Sequence, residues 1–171
     1  MASVIFDTNI YIFHSLRYPD ALRAWEEQTV TNNCNHLMSI IQVSELLSYS
    51  EIDKNPMIRS QREKYISLAD EIVVVDDEIA RKAAELRRSW NQYSGKTLKL
   101  PDALIAATAI VKNAILFGNN DRDFLHLSKF HELQYQNPIE NQENLAQFLR
   151  EKKASTSAKD MGVSQDESEP I

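Results

Sequence analysis

The sequence predicts an α/β fold, a small parallel sheet flanked by helices, on three observations. Short apolar runs rich in β-branched residues, "VIF", "EIVVV" and "AILF", recur along the chain with helical stretches between them. That alternation builds parallel sheets through crossover helices. The first run, Ser3 to Phe6, is almost continuously apolar rather than alternating, as strands covered on both faces are. The segment "ALIAATAIV" is apolar nearly all round, as expected of a helix buried against a sheet.

The elements follow in order. Ser3–Phe6 reads as a first strand that runs straight into Asp7-Thr8-Asn9. Pro19 opens a helix to about Val30, and "HLMS" is a second short strand. Ser39 followed by Gln42 is a capping-box signature, so a helix starts there. Asn55-Pro56 breaks the chain before a helix through Leu68. "EIVVV" (71–75) is the clearest strand, and Asp76 and Asp77 suit the N-cap of a helix to about Gln92. "YSGK" is a turn, and Pro101 fits the first turn of the apolar helix. "AILF" (114–117) is a strand ended by Gly118-Asn119-Asn120. A short helix near Phe124, a strand at "LQYQ" and a last helix from about Asn141 complete the domain. Residues 1–150 read as one domain. Residues 151–171, rich in Ser and acids and without an aromatic residue, are expected to form a disordered tail.

Composition excludes several classes. Of the 171 residues 43% are hydrophobic, enough for a core. No run approaches the ~18 apolar residues of a membrane span, and no basic region precedes the first apolar stretch as in a signal peptide. Cys34 is the only cysteine, which rules out an internal disulfide and any multi-cysteine zinc site and fits a reducing, cytoplasmic setting. Three glycines leave no G-x-G-x-x-G and no P-loop. His14, His36, His126 and His131 show no metal-ligand spacing. The net charge of −6 argues against a nucleic-acid binder, but the segment 81–99 reverses it locally. There Arg81, Lys82, Arg87, Arg88, Lys96 and Lys99 face only Glu85. Such a segment suits either a phosphate backbone or a solvated helix face.

The acids carry the chemistry. In parallel α/β sheets, ligands bind beyond the carboxyl ends of the strands. Asp7 ends the first strand, Asp121 and Asp123 follow "AILF", Glu45 lies about two turns into a helix, and Asp102 heads the apolar helix. Each has an ordinary reading: an N-cap for Asp7, a solvated face for Glu45, a helix-start residue for Asp102, turn and cap positions for Asp121 and Asp123. If they converge, either some are protonated or a cation sits among them. Hard oxygen ligands select Mg²⁺ or Mn²⁺, with Asn9 orienting Asp7 from behind.

In this order and spacing, "VIFDTNIYI", "MSIIQVSELL", "LKLPDALIAATAIV" and "ILFGNNDRDF" resemble the PIN-domain ribonucleases, and within them the VapC-type toxins of toxin–antitoxin pairs, along roughly residues 3–148. The resemblance implies a PIN-like three-layer fold, metal-dependent endonucleolytic cleavage of RNA leaving 5′-phosphate and 3′-hydroxyl ends, a homodimer, and inhibition by a cognate antitoxin. It implies an antitoxin peptide that reaches the acidic pocket with an Arg competing for the carboxylates. Asp7, Glu45 and Asp102 match the three metal-holding acids of the family, Asp121 the fourth with Asp123 as the alternate, and Asn9 the polar residue near the first acid. Family members often carry a hydroxyl residue at the start of the last motif, where this chain has Gly118-Asn119-Asn120.

Within that reading Arg87, Arg88, Lys96 and Lys99 are candidates for the RNA backbone, and Tyr11, Trp90 and Tyr93 for stacking on unpaired bases. Two rivals compete. An aspartyl-phosphate phosphatase would need D-x-D-x-T, but Asn9 and Tyr11 occupy its later positions. A PIN-fold binding module with a weakened site would be favoured only by the missing hydroxyl.

Overall fold

In a computed structural model of the protein, which describes residues 1–162, five parallel strands form one sheet in the order β3-β2-β1-β4-β5. The elements are β1 (Ser3–Phe6), α1 (Thr8–Ser15), α2 (Pro19–Glu26), β2 (Asn35–Ser39), α3 (Ile40–Leu47), α4 (Pro56–Ser67) and β3 (Glu71–Val73). They continue with α5 (Asp77–Ser94), α6 (Leu100–Val111), β4 (Ala114–Phe117), α7 (Asp121–Phe130), β5 (Gln134–Gln136) and α8 (Gln142–Gly162). A π-helical turn, Glu27–Thr31, follows α2. Contacts divide the chain into a unit spanning Met1–Pro138, which holds the whole sheet, and a second unit that begins at Ile139.

Strand order explains where a site can form. From β1 the chain steps to β2 and β3 on one side, then crosses back through α5 and α6 to β4 on the other. The carboxyl ends of β1 and β4 are therefore a topological switch point, where departing loops diverge and leave a crevice. Register fixes them level, with Phe6 opposite Phe117.

Side chains alternate across β1, so its two faces meet different layers. Ile5 joins Leu37, Leu116 and the inner faces of α5, α6 and α7, including Leu86, Ile105 and Phe124, in one buried cluster. Phe6 faces an aromatic layer instead. It stacks on Trp25 at 5.0 Å between ring centroids, and Tyr11, Tyr65 and His36 close around that pair. His36 Nδ1–H donates to the Leu68 carbonyl at 3.2 Å, which leaves Nε2 to accept the Tyr11 hydroxyl at 2.7 Å. Burial lowers the His36 pKa, as that neutral tautomer requires.

Local signals set most boundaries. Ser39 and Gln42 form the expected capping box, and Asp76 caps α5 through the Ile79 amide. Gly95 ends α5 in the left-handed region, φ 66°, where glycine carries no Cβ penalty. Three expectations change. The helix α1 follows Asp7 at once, although "NIYIF" is poor in helix formers; burial of Ile10, Tyr11 and Phe13 outweighs propensity. β3 stops at Val73, which pairs with Ser39, the last residue of β2, and Val74 is left exposed. And α8 runs through Gly162, past Lys153. Its hydroxyls donate back to carbonyls four residues earlier, Ser155 to Glu151 and Thr156 to Lys152, and a lack of aromatics removes packing rather than helicity. The expected tail beyond 162 lies outside the described residues. Among the described residues no helix is long and apolar enough to cross a membrane.

Candidate active site

Asp7 sits at the switch point. It occupies the N-cap position of α1, yet its side chain caps nothing. Its amide donates to the Phe117 carbonyl at 2.7 Å, locking the ends of β1 and β4 together. The carboxylate is thus free of the usual capping duty while only 5% exposed. The Asn9 amide approaches it, Nδ2 to Oδ2 at 3.4 Å.

Glu45 is brought to the same place by α3. Gln42, fully buried in the first turn, accepts the Ser39 amide at 3.0 Å and donates to the Phe6 carbonyl. The end of β1 and the start of α3 are therefore tied, and Glu45 follows less than a turn later. The Thr8 hydroxyl donates to Glu45 Oε2, so neighbours of Asp7 hold two different acids. Asp102 lies in the first turn of α6, where the helix dipole favours a carboxylate.

After β4 the two remaining acids part company. Asp123 is buried, 4% exposed, and accepts from Asn120 Nδ2 and Arg122 Nε, each at 3.1 Å. Asp121 is exposed, and its Oδ1 takes the Tyr135 hydroxyl at 2.8 Å and Asn137 Nδ2 at 2.9 Å.

Electrostatics shows which carboxylates share a field. Burial, then the Asp102 charge and more weakly Glu45, push the Asp7 pKa from its ordinary 3.8 to about 7. Burial, then Asp123 and Glu45, raise Asp102, against the opposing charges of Lys99 and Arg122. The charges of Glu45 and Asp102 thus act on Asp7, and those of Glu45 and Asp123 on Asp102, whereas Asp121 is bonded to Tyr135 and Asn137. Among the described residues no Lys or Arg forms an ion pair with Asp7, Glu45 or Asp102. Nor do three such side chains already stand at metal-ligand spacing. The donors are all carboxylate oxygens, and of the four only Asp123 has an ion pair among the described residues, with Arg122, a set that fits a hard divalent cation and no soft one.

The family's PIN model matches residues 4–129. The chain belongs to the PIN-domain family. PIN domains are metal-dependent nucleases. Among solved structures the PIN domain is similar to VapBC2 from Rickettsia felis bound to a DNA fragment from their promoter, at 25% identity and a TM-score of 0.64, over 79% of this chain and 98% of that one. It is also similar to a toxin–antitoxin complex from Klebsiella pneumoniae, at 24% identity and a TM-score of 0.60, over 81% and 99%. FitAcB from Neisseria gonorrhoeae matches at 22% identity and a TM-score of 0.60, also over 81% and 99%. No curated protein matches the sequence significantly.

The departure at the last PIN motif has a structural answer. Gly118 approaches so closely that a Cβ there would lie 3.2 Å from the Asp7 Cβ and 3.4 Å from the Tyr135 ring. A hydroxyl reaches this turn from Tyr135 of β5. Tyr135 OH accepts the Asn120 amide at 3.1 Å and shares its proton between the Gly118 carbonyl and Asp121. Burial and the Asp121 hydrogen bond hold it far above the usual phenol range, so it stays protonated. Tyr135→Phe leaves the Asn120 amide without its partner and loosens Asp121. The expected cost is about 1–3 kcal/mol in thermal unfolding and about 10- to 100-fold in turnover.

The basic segment divides. Arg87 Nε donates to the Leu98 carbonyl at 3.0 Å and so braces the loop before α6. Arg81 pairs with Asp77 and Lys82 with Glu85; Lys82 and then, more weakly, His131 and Arg88 hold the Glu85 carboxyl below its usual range. Lys99 is exposed and acts on Asp102, and Lys96 is exposed nearby in sequence. Of the aromatic candidates, Tyr11 and Trp90 are core residues, 1% and 5% exposed, closed to any base; Tyr93 is 66% exposed. Thr8, Arg122, Tyr135 and Asn137 were not singled out by sequence reasoning, and only Thr8, beside Asp7, carried a local signal.

Proposed function

We propose that the protein is a metal-dependent endoribonuclease and acts in the cytoplasm as the toxin of a type II toxin–antitoxin pair. One observation supports the reading: the pKa of Asp7, buried and without an ion pair among the described residues, is raised by burial and by the charges of Asp102 and Glu45, and that of Asp102 by burial and by Asp123 and Glu45. Asp7, Glu45, Asp102 and Asp123 would hold Mg²⁺ or Mn²⁺, and Asp121, gripped by Tyr135 and Asn137, would stand at the margin. Such an ion, when bound, lowers the pKa of water and offsets charge on phosphoryl oxygens.

The remaining roles belong to the chain's own residues. Thr8 fixes the Glu45 carboxylate and Asn9 steadies Asp7. Lys99 and Arg122 moderate the negative field at Asp102, so a phosphodiester meets less repulsion as it approaches. Lys96 and Lys99 suit the RNA backbone; Arg88 adds charge further along α5, and Arg87 serves the fold. The neighbours' descriptions as toxin–antitoxin complexes support a protein antitoxin as partner. Its arginine would compete for the same carboxylates by charge-assisted pairing, and the active toxin would be a homodimer.

Incubation with single-stranded RNA and Mg²⁺ or Mn²⁺ is expected to yield internal cuts ending in 5′-phosphate and 3′-hydroxyl groups. EDTA is expected to abolish them. Cleavage at full rate in EDTA would overturn the proposal.

A further inference from the structure

Beside the carboxylates, α7 carries a second feature that cleavage chemistry does not use. Its inner face buries Asp123, Phe124 and Leu127. Its other face presents Arg122, Leu125, His126, Lys129 and Phe130, spaced at three to four residues along the helix. Together with Tyr93 from the end of α5 these residues line an open cavity of about 270 Å³.

The cavity is built from stacked rings. Tyr93 lies on His126 with centroids 4.1 Å apart and planes 28° from parallel. Phe130 sits 4.8 Å from the same imidazole, and buried Trp90 supports it from beneath at 5.3 Å. Neither imidazole nitrogen has a hydrogen-bond partner, so His126 serves as a flat support rather than a polar group. Tyr93, Phe130 and Leu125 are 66%, 58% and 54% exposed and line the same cavity, and a contiguous exposed apolar patch marks an interaction surface.

Charge and position favour a nucleic-acid occupant over a protein one. The lining holds two cations, Arg122 and Lys129, and no acid, in a chain whose net charge is −6. Arg122 bridges the two sites, since its Nε bonds Asp123 and its charge acts on Asp102. Flat exposed rings flanked by cations are the pattern by which proteins hold unpaired nucleotides. We propose that this groove binds single-stranded nucleotides of the RNA substrate next to the cleaved bond, with bases stacked on Tyr93 and Phe130 and phosphates on Arg122 and Lys129. The inference rests on the ribonuclease reading and extends it to how substrate is selected: unpaired regions are taken and duplex is refused.

The test compares wild type with Tyr93→Ala, Phe130→Ala, Tyr93→Phe and Lys129→Gln. Kinetics of single-stranded RNA cleavage are measured beside anisotropy of a labelled single strand in EDTA, with light scattering for oligomeric state. The two alanine variants are expected to raise KM and weaken binding by about 5- to 100-fold with kcat little changed. Tyr93→Phe, which keeps the stacking face, is expected to recover most of the binding that Tyr93→Ala loses, and a Phe variant as weak as the Ala one would count against stacking. Lys129→Gln is expected to reduce the salt slope of binding by about 0.7. Unchanged KM and binding in both alanine variants, while wild type cleaves RNA, would overturn this inference alone. Loss of a dimer at unchanged RNA affinity would assign the surface to a second copy and overturn it too. Failure of wild type to cleave RNA would remove the ribonuclease reading and this one with it.

Discussion

Asp7→Asn is expected to lower RNA cleavage by on the order of 10³-fold or more while the protein stays folded. The residue has no structural duty that asparagine would fail. Its side chain makes no cap, and the bond that locks β1 to β4 uses the Asp7 backbone amide. What asparagine removes is one negative charge from a buried carboxylate that has no ion pair among the described residues. A change confined to kcat and metal affinity, with the thermal transition intact, is the expected signature. Retention of even a tenth of wild-type activity would show that Asp7 is not part of the reacting centre.

The same substitution is expected to stabilise the metal-free protein, and to do so only at high pH. Asp7 titrates near 3.8 when solvated and at about 7 in the fold. Between these values the folded state keeps a proton that the unfolded state has lost, so stability falls as pH rises. The contribution is fully present below about pH 4 and is lost by about pH 7. Burial of the uncompensated charge then costs on the order of 4 kcal/mol. Denaturant unfolding in EDTA is therefore expected to show Asp7→Asn and wild type nearly equal at pH 4, with the variant ahead by a few kcal/mol at pH 8. His14 and His36, whose pKa values burial lowers, act in the opposite direction below about pH 6.5. They do so in both proteins and cancel in the comparison. Saturating Mn²⁺ at pH 8 is expected to restore wild type, by about 2.7 kcal/mol at a hundredfold excess over Kd. A variant no more stable than wild type at pH 8 would mean that the Asp7 charge is already compensated within the chain.

Much of the site was legible because strand ends and helix starts are written locally. β1 is a short apolar run, Asp7 is the first polar residue after it, and parallel topology makes that position the mouth of the crevice. The capping pair Ser39 and Gln42 fixed the start of α3 and so the depth of Glu45 along it. What stayed hidden depends on contacts distant in sequence. Nothing near Glu45 signals that Thr8, 37 positions away, will hold it. Tyr135 lies in a three-residue strand, and its hydroxyl matters only because β5 pairs with β4 and Gly118 leaves it room. Asp121 and Asp123 look alike as letters. The helix period separates them, since Asp123 lies one turn before buried Leu127 and Asp121 one turn before exposed Leu125. The α1 helix was hidden for another reason: its residues are poor helix formers, and only the aromatic layer around Phe6 and Trp25 makes the helical form favourable.

The central claim is that Asp7, Glu45, Asp102 and Asp123 act together on one cation. Electron paramagnetic resonance of Mn²⁺, titrated into wild type, Asp7→Asn and Asp102→Asn at pH 7.5, tests it without reference to any substrate. Wild type is expected to bind Mn²⁺, and each variant to bind it at least about tenfold more weakly. Equal Mn²⁺ affinity in all three proteins would contradict the account.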